Sequence, residues 1–201
     1  MLKNDRWIKV MADRGMITPH APTKVRAGSD GRSILSYGVE SYGYTLQVAD
    51  EWMIVNPALS AAQLEQMPVD PKDPATLAAV LVPVTAPHIT VPPHSFVLAR
   101  SAERWNIPRT VLCVVLGKSS LARCGLILNV TPLEPTWGSE NAAGGDFITL
   151  EISNTAPFPV VVYANEGIGQ VIFLEGDEPP QRDYRAGGGR YQGQDGITLP
   201  R

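Results

Sequence analysis

The sequence predicts a mainly β domain folded as a barrel or a sandwich. Eighteen glycines and eighteen prolines among 201 residues interrupt regular helices too often for a helical architecture. Short runs rich in β-branched and apolar residues recur between these breakers, at the close spacing that is typical of barrels and sandwiches. The length is sufficient for one domain with a full core, and we find no internal repeat and no linker that would divide the chain.

Local patterns predict the individual elements. Residues 5–14 have a helical apolar period that stops at Gly15. Residues 36–48 mix aromatic, β-branched and glycine residues, as a bent strand or a hairpin does. We expect a short helix over 58–67 and a short helical turn over 100–108. Strands are predicted over 77–84, 95–100, 110–116, 125–131, 147–153, 159–164 and 169–174.

Charge and cysteine usage limit the classes of partner. The net charge of −3 and the lack of a basic stripe interleaved with aromatic residues disfavour a nucleic-acid-binding barrel. No run reaches the ~18 apolar residues of a membrane span, and the N-terminal segment lacks the apolar stretch of a signal peptide. Cys113 and Cys124 have no metal-ligand spacing. We therefore expect a cytoplasmic protein with reduced thiols and no membrane or nucleic-acid partner.

The stretch 116–126 contains the Gly-Lys-Ser order of a phosphate-binding P-loop, in the run LGKSSLARCGL. A P-loop needs a further glycine five residues before the Gly-Lys pair, and that position is Leu112. The run before Gly117 also has the composition of a strand, not of a flexible loop. The P-loop interpretation is therefore excluded.

A short helix beginning near Ser119 offers a different way of holding an anion. Ser119 and Arg123 are four residues apart and share one helical face. Backbone amides at the start of a helix favour negative charge. The alternative is an N-cap serine followed by an ordinary surface arginine, and these residues by themselves leave both interpretations open.

Glu151 lies in the middle of the predicted strand DFITLEISN. Alternation places Ile148, Leu150 and Ile152 on one buried face and Glu151 on the other, between Thr149 and Ser153. This second face is either the solvated side of an edge strand or a rigid support for a carboxylate that transfers protons.

Longer motifs closely resemble the bacterial dCTP deaminases of the dUTPase-like superfamily: GKSSLARCGLILNVTPLEPTW, TLEISNTAPFPVVVYANEGIGQVIF and GGGRYQGQDGITLP. The segments DRWIKVMADRGMI and SYGVESYGY are similar to the same family, so the resemblance covers nearly the whole chain. It implies a distorted, jelly-roll-like β-barrel of the dUTPase type with a few short helices, as one domain over residues 1–201. It also implies a homotrimer with active sites at the subunit boundaries.

The resemblance implies a hydrolase of nucleotide metabolism that deaminates dCTP to dUTP and ammonia without zinc. The residues disfavour zinc independently, because His20, His88 and His94 are not followed by glutamate two residues later and the cysteines lack the Pro-Cys-x-x-Cys pattern. Mg²⁺ is expected only with the triphosphate, held mainly by phosphate oxygens and water. The family further implies dTTP as an allosteric inhibitor.

Carried over residue by residue, the resemblance makes Glu151 the general base and proton shuttle. It makes Ser119 and Arg123 the pair that contacts the phosphates and positions the site. Further contacts to the nucleotide are implied for Lys118, Ser120, Asn129, Val130, Thr131, Glu134, Tyr184, Arg190 and Gln194.

The glycine-rich tail over 183–201 is expected to be mobile unless something orders it. It is either a plain disordered terminus or, as the resemblance implies, a lid that closes over the triphosphate. The chain also departs from the family at three places. Thr45 stands where aspartate is usual, Gln47 stands where a basic residue is common, and the segment 138–146 is longer than the usual link to the Glu151 strand.

The sequence leaves two alternatives to a dCTP deaminase open. A dUTPase, or a bifunctional enzyme that continues to dUMP and pyrophosphate, would use the same barrel and tail, with Glu134 as the only obvious acidic residue near the sugar. A non-catalytic nucleotide-binding homologue is disfavoured by the intact Ser119, Arg123 and Glu151, although Thr45 and the long 138–146 segment leave it possible.

Overall fold

The protein is mainly β in the computed structural model, which describes residues 1–139 and 141–201. Four short helices are present in this part of the chain: α1 (Asp5–Asp13), α2 (Ala61–Glu65), α3 (Pro74–Val80) and α4 (Ser119–Ala122). The strands are β1 (Ile17–Thr18), β2 (Val25–Ala27), β3 (Ser33–Glu40), β4 (Gly43–Val55), β5 (Leu81–Thr85), β6 (His88–Val91), β7 (Phe96–Trp105), β8 (Val111–Gly117), β9 (Leu126–Asn129), β10 (Asp146–Asn154), β11 (Val160–Tyr163) and β12 (Gly167–Glu175).

Ten of these strands form one curled sheet that is built around β4. The order β2-β3-β4-β7-β10-β9 runs along the sheet, β12 joins β4 to β8, and β1 and β5 add to β7 and β4. The first half of β4 pairs with β3 and β12, and its second half pairs with β5 and β7. An irregular register between Val48 and Trp52 marks this change of partner. One long strand thus links both halves of the distorted barrel, which confirms the predicted fold class.

The core lies inside the curled sheet and is closed by α1. Tyr44, Trp105 and Phe173 are fully buried there. The Tyr44 and Trp105 rings meet edge to face at 5.8 Å between centroids, and the Trp105 and Phe173 rings stack at 6.4 Å. Such aromatic contacts add to the hydrophobic stabilisation of the core. Ile8 and Ala12, four residues apart on α1, are the buried face of that helix.

A second apolar cluster lies between α3 and the strands β5 and β7, and it involves the C-terminal tail. It contains Leu77, Val80, Leu81 and Leu98. Ile197 and Leu199 of the tail pack against it from outside. Residues separated by more than a hundred positions therefore share one cluster, which brings α3 and the tail to the same face of the sheet.

Two predicted elements are wrong. Residues 77–84 were expected as a strand, but α3 occupies Pro74–Val80 and the strand begins only at Leu81. Asp73 caps this helix by accepting a hydrogen bond from the Ala75 amide at 3.1 Å, and Pro74 suits a first helical position. These start signals outweigh the apolar composition of the segment.

Residues 100–108 contain no helical turn, because β7 continues as one strand to Trp105. Strand β10 pairs with it on one side, and β4 and β1 pair with it on the other. Tertiary pairing of this kind overrides the weak local preference of a polar segment. The hairpin within 36–48 is confirmed, since Glu40 pairs with Gly43 across the turn between β3 and β4. Among the described residues, no helix is long and apolar enough to cross a membrane.

Candidate active site

Glu151 lies at the centre of three adjacent strands. It is paired with Leu98 of β7 on one side and with Asn129 of β9 on the other. Ile148, Leu150 and Ile152 are buried on the opposite face of β10, as the alternation predicts. Because strands on both sides hold this residue, the edge-strand interpretation is excluded and the carboxyl group stands on a rigid support.

The environment of the Glu151 carboxyl group favours its protonated form. Its Oε2 atom is buried and has no hydrogen-bond partner among the described residues. Burial raises the pKa of Glu151 to about 7, although a hydrogen bond to its own backbone acts in the opposite direction. A carboxyl group with this pKa accepts and returns protons near neutral pH, which is the requirement for a general base that also acts as an acid.

Glu151 opens into a cavity of about 370 Å³. The walls of this cavity are mostly apolar, and they come from β10, from the segment after β9, from α3 and from the tail. Its lining residues are Leu77, Leu98, Val130, Thr131, Pro132, Leu133, Trp137, Ile148, Thr149, Glu151, Tyr184, Tyr191, Gln194, Thr198 and Pro200. A few polar groups in an apolar cleft are typical of a small-molecule site.

The tail follows the edge of this cavity and is bonded to the strand that carries Glu151. Thr149 donates a hydrogen bond from its hydroxyl to Gln194 Oε1 at 3.1 Å and accepts one from the Thr198 amide at 3.0 Å. The Phe147 amide donates to the Gln194 carbonyl at 3.0 Å. Gln194 is only 5% exposed. The tail is thus packed against its own chain, while its opening and closing as a lid stay a prediction.

The segment 138–146 also contacts the tail, and its Glu140 lies outside the described residues. Asp146 is fully buried and accepts a hydrogen bond from the Gly193 amide at 2.8 Å. Asn141 Nδ2 and Arg104 Nη1 both donate to Asp195 Oδ1, at 3.0 and 2.8 Å. The segment therefore packs against the tail, while its greater length than in the family stays a prediction.

The structure brings five of the predicted site residues together at the cavity: Glu151, Val130, Thr131, Tyr184 and Gln194. Asn129 joins them through its direct pairing with Glu151. Glu134 and Arg190 are exposed and do not line the cavity. Arg190 instead donates to the Arg201 carbonyl at 3.2 Å.

The remaining predicted residues lie at a different place. Lys118, Ser119 and Ser120 line a separate groove of about 360 Å³, which shares no lining residue with the Glu151 cavity. Arg123 ends α4 one turn after Ser119, and both side chains are exposed. Asn129, which pairs with Glu151, is at the end of β9 that is farther from α4 along the chain. The three residue-to-residue steps of β9 span about 10 Å. Within one chain, Ser119 and Arg123 therefore lie outside the cavity that contains Glu151.

Thr45 and Gln47, which are predicted to depart from the family pattern, both form hydrogen bonds within the fold. Thr45 is buried and donates to Glu40 Oε1 at 3.0 Å, so a carboxylate from the neighbouring strand contacts its hydroxyl. Gln47 donates from Nε2 to the Asn165 carbonyl at 2.7 Å. Both residues take part in the hairpin region and not in the Glu151 cavity.

Several cavity residues were missed by the sequence analysis. Leu77, Leu98, Tyr191 and Thr198 line the cavity without having been predicted. Tyr191 belongs to the same YQGQ motif as the predicted Gln194, which was a usable signal. For Leu77 and Leu98 no local signal exists, since only the packing of α3 on β7 places them there.

The described residues contain no group of three or more His, Cys, Asp or Glu side chains that could hold a metal ion. Cys113 is buried and Cys124 exposed, and neither is in a disulfide. The zinc-independent chemistry stays a prediction. If Mg²⁺ binds with a triphosphate, the phosphate oxygens and water would be its main ligands.

A half-buried carboxylate in a cavity of a curled β-sheet has the features of an enzyme site. Comparison with known proteins shows the family to which the chain belongs. Residues 2–176 match the dCTP deaminase-like family model. The dCTP deaminase of Roseiflexus castenholzii is 48% identical over 203 aligned residues, covering 100% of this chain and 98% of that protein. The dCTP deaminase of Herpetosiphon aurantiacus is 49% identical, also over 203 aligned residues, and covers the same shares.

A solved structure shows the same fold. The crystal structure of 2′-deoxycytidine 5′-triphosphate deaminase from Agrobacterium tumefaciens superposes with a TM-score of 0.56 at 16% identity. The match covers 86% of this chain and 46% of that one. The chain belongs to the dCTP deaminase-like family, as its sequence motifs indicated.

Proposed function

We propose that the protein deaminates dCTP by hydrolysis, giving dUTP and ammonia, with Glu151 as the general base. The observation that carries this proposal is the buried Oε2 atom of Glu151, which lacks a partner among the described residues and faces a cavity. A buried polar atom without a partner is costly to the fold, and a bound cytosine and water would supply the missing hydrogen bond. The naming of the full-length relatives as dCTP deaminases supports the same reaction.

The proposed reaction balances with one shuttled carboxylate. Glu151 takes a proton from water while the water oxygen forms a bond to C4 of cytosine, and it passes this proton to the ring nitrogen N3. Glu151 then takes the remaining proton of the C4 hydroxyl group and delivers it to the amine. The C4–N4 bond breaks, ammonia leaves, and the C4 carbonyl of uracil forms. The backbone at Asn129 to Thr131, beside Glu151, is suited to hold the base edge.

The site is completed across a subunit boundary in this proposal. Ser119 and Arg123 face solvent away from the Glu151 cavity of their own chain. Leu116 and Ile127, on the strands that flank α4, are 50% and 53% exposed. Exposed apolar side chains beside an unused polar pair are typical of an interface. We infer a homotrimer in which α4 of one subunit reaches the Glu151 cavity of the next.

A subunit-mixing experiment tests the shared site. Glu151→Gln and Ser119→Ala variants are each expected to lose most activity. When the two are unfolded and refolded together, mixed trimers contain sites with both residues intact, and a fraction of the activity returns. Refolding each variant alone is the control. If verified mixed trimers recover no activity, Ser119 and Glu151 belong to a site within the same chain, and the shared site is refuted.

The reaction itself is tested by assaying ammonia and pyrophosphate separately with dCTP and with dUTP. We expect ammonia from dCTP without pyrophosphate, because the full-length relatives are named dCTP deaminases. Glu151→Gln should abolish ammonia release while dCTP binding is retained. Pyrophosphate formation would favour a bifunctional enzyme or a dUTPase, and binding without any turnover by the unaltered protein would favour a non-catalytic homologue.

Three further parts of the proposal follow from family membership. Mg²⁺ accompanies the triphosphate as part of the substrate, since the groove near Lys118 offers only Glu40, which is already paired with Lys24. Inhibition by dTTP is expected and is tested by adding it to the ammonia assay. A cytoplasmic location is supported by the exposed free thiol of Cys124, which suits a reducing compartment.

A further inference from the structure

The groove at Lys118 contains a second lysine that no sequence motif indicated. The groove is lined by residues of four strands and of the start of α4, and this second lysine is Lys24, directly before β2. Strands β8, β12, β4 and β3 are neighbours here, so Gly117, Gln170, Thr45 and Ser36 meet at one place. Hydroxyl groups of Ser36, Ser119 and Ser120 complete the polar wall.

Lys24 is fixed in this groove by a chain of polar contacts. Its Nζ atom lies 2.6 Å from Glu40 Oε1 and 2.8 Å from Glu40 Oε2. Glu40 is held in turn by the hydroxyl of Thr45, which is 1% exposed. Burial alone would raise the pKa of Glu40, but the hydrogen bonds from Lys24 and Thr45 lower it overall, so the carboxylate is charged. An ammonium group has three donors, and at least one remains for a ligand.

The charges of the groove do not cancel. Two lysines and one glutamate line it, which leaves one positive charge. Lys118 donates to Ser36 Oγ at 3.3 Å and has no carboxylate within ion-pair distance in the described part of the chain. Burial, and then the positive charge of Lys24, lower the pKa of Lys118. An anion in the groove would relieve both effects, because it replaces lost hydration and screens the two ammonium groups from each other.

We propose that Lys24 is a second cationic contact for the triphosphate in the Lys118 groove, and that Glu40 is the positioning residue that holds its ammonium group. This inference rests on the proposed function only for the identity of the nucleotide. The anion-binding chemistry of the groove requires just a chain of linked phosphates long enough to span Lys118 and Lys24.

Calorimetric titration with inorganic triphosphate tests the inference without the nucleotide. Lys24→Met should weaken binding about ten-fold, the effect of removing one hydrogen bond to a charged group. Lys9→Met is the matched control, since Lys9 is also paired with a carboxylate, Asp5 at 3.5 Å, but lies on α1 away from the groove. Equal affinities of Lys24→Met and the unaltered protein, or no binding by the unaltered protein, would overturn the inference.

Nucleotide binding separates this inference from the proposed function. Lys24→Met should weaken dCTP binding about ten-fold and leave dCMP binding unchanged, because dCMP lacks the outer phosphates. A protein that releases no ammonia from dCTP would refute the proposed deamination, while the triphosphate titration would still decide the role of Lys24. Equal losses for dCTP and dCMP would mean that Lys24 acts on the fold and not on the phosphates.

The positioning role of Glu40 has its own readout. Glu40→Gln keeps the shape of the side chain but removes the charge that orients Lys24, so triphosphate affinity should fall although one negative charge has left the groove. Simple electrostatics predicts the opposite, a gain in affinity. Glu40→Asp should restore part of the affinity. Tighter triphosphate binding by Glu40→Gln would show that Glu40 only repels the anion.

Discussion

Thr149 connects the strand of Glu151 to the C-terminal tail through Gln194. Its hydroxyl donates to Gln194 Oε1 at 3.1 Å and accepts from the Thr198 amide at 3.0 Å. Thr149 is two residues before Glu151 and on the same face of β10. The side chain that packs the tail and the carboxyl group proposed for the chemistry are therefore held by one rigid strand.

Thr149→Val should weaken substrate binding by loosening the tail. The variant keeps the β-branched shape but loses both hydrogen bonds, at about 1 kcal/mol each, so KM for dCTP should rise about 5- to 30-fold. The measurement is ammonia release at varied dCTP concentration. Thr149→Ser, which retains the hydroxyl, is the control and should stay close to the unaltered protein. An unchanged KM in Thr149→Val would separate the tail from nucleotide binding.

The pH dependence of the reaction should report Glu151. Burial raises the pKa of this carboxyl group to about 7, and a general base must be ionised in the free enzyme. Below about pH 7, kcat/KM should fall by about ten-fold for each pH unit, and above it the rate should level off. A profile that stays flat between about pH 5 and 8 would contradict the assignment of the base.

Glu103 should make the fold less stable at high pH. It is 1% exposed, and burial raises its pKa from the ordinary 4.5 to about 8, although hydrogen bonds from backbone amides and from the Tyr44 hydroxyl oppose the rise. Since the folded state binds this proton more tightly than the unfolded state, the stabilising contribution is complete below pH 4.5 and is lost as pH rises through about 8.

Glu103→Gln removes this titration and keeps the shape of the side chain. The compared quantity is the unfolding free energy of the variant minus that of the unaltered protein. This difference should be roughly 1–3 kcal/mol larger at about pH 8.5 than at about pH 5. Urea denaturation of both proteins at the two pH values measures the change. Glu151 titrates in both proteins, so the comparison isolates Glu103. The same difference at both pH values would mean that Glu103 is charged in the fold.

Gly189→Ala should displace the tail from Tyr184. A Cβ atom at this position would lie 2.2 Å from Tyr184 Cε1, closer than any real contact. Tyr184 lines the cavity and its hydroxyl accepts a hydrogen bond from the Tyr191 amide at 2.9 Å. We expect a KM for dCTP raised about ten-fold or more, in line with the 1–3 kcal/mol typical of overpacking.

The matched control for Gly189→Ala is Gly196→Ala, in the same tail. A Cβ atom there meets no atom within 4 Å. Its KM should not change. If both variants behave alike, the effect comes from tail stiffness in general and not from the contact with Tyr184.

The sequence by itself determined the features that depend on local pattern. The period of two in β10 fixed which face carries Glu151, and the observed burial of Ile148, Leu150 and Ile152 follows it. Most strands and the hairpin of β3 and β4 lie where breakers and β-branched runs predicted them. The long motifs also indicated the family, because together they extend over most of the chain and not over one element.

The tertiary structure decided which segments meet, since a contact between distant residues leaves no mark in either segment alone. Pairing with β10, β4 and β1 made 100–105 a strand, and packing of α3 on β7 brought Leu77 and Leu98 to the cavity. The same topology separates Ser119 from Glu151 and joins Lys24 to Lys118 through four neighbouring strands. Hydrogen bonds and burial between such segments, rather than local preference, determine where this protein places its charges.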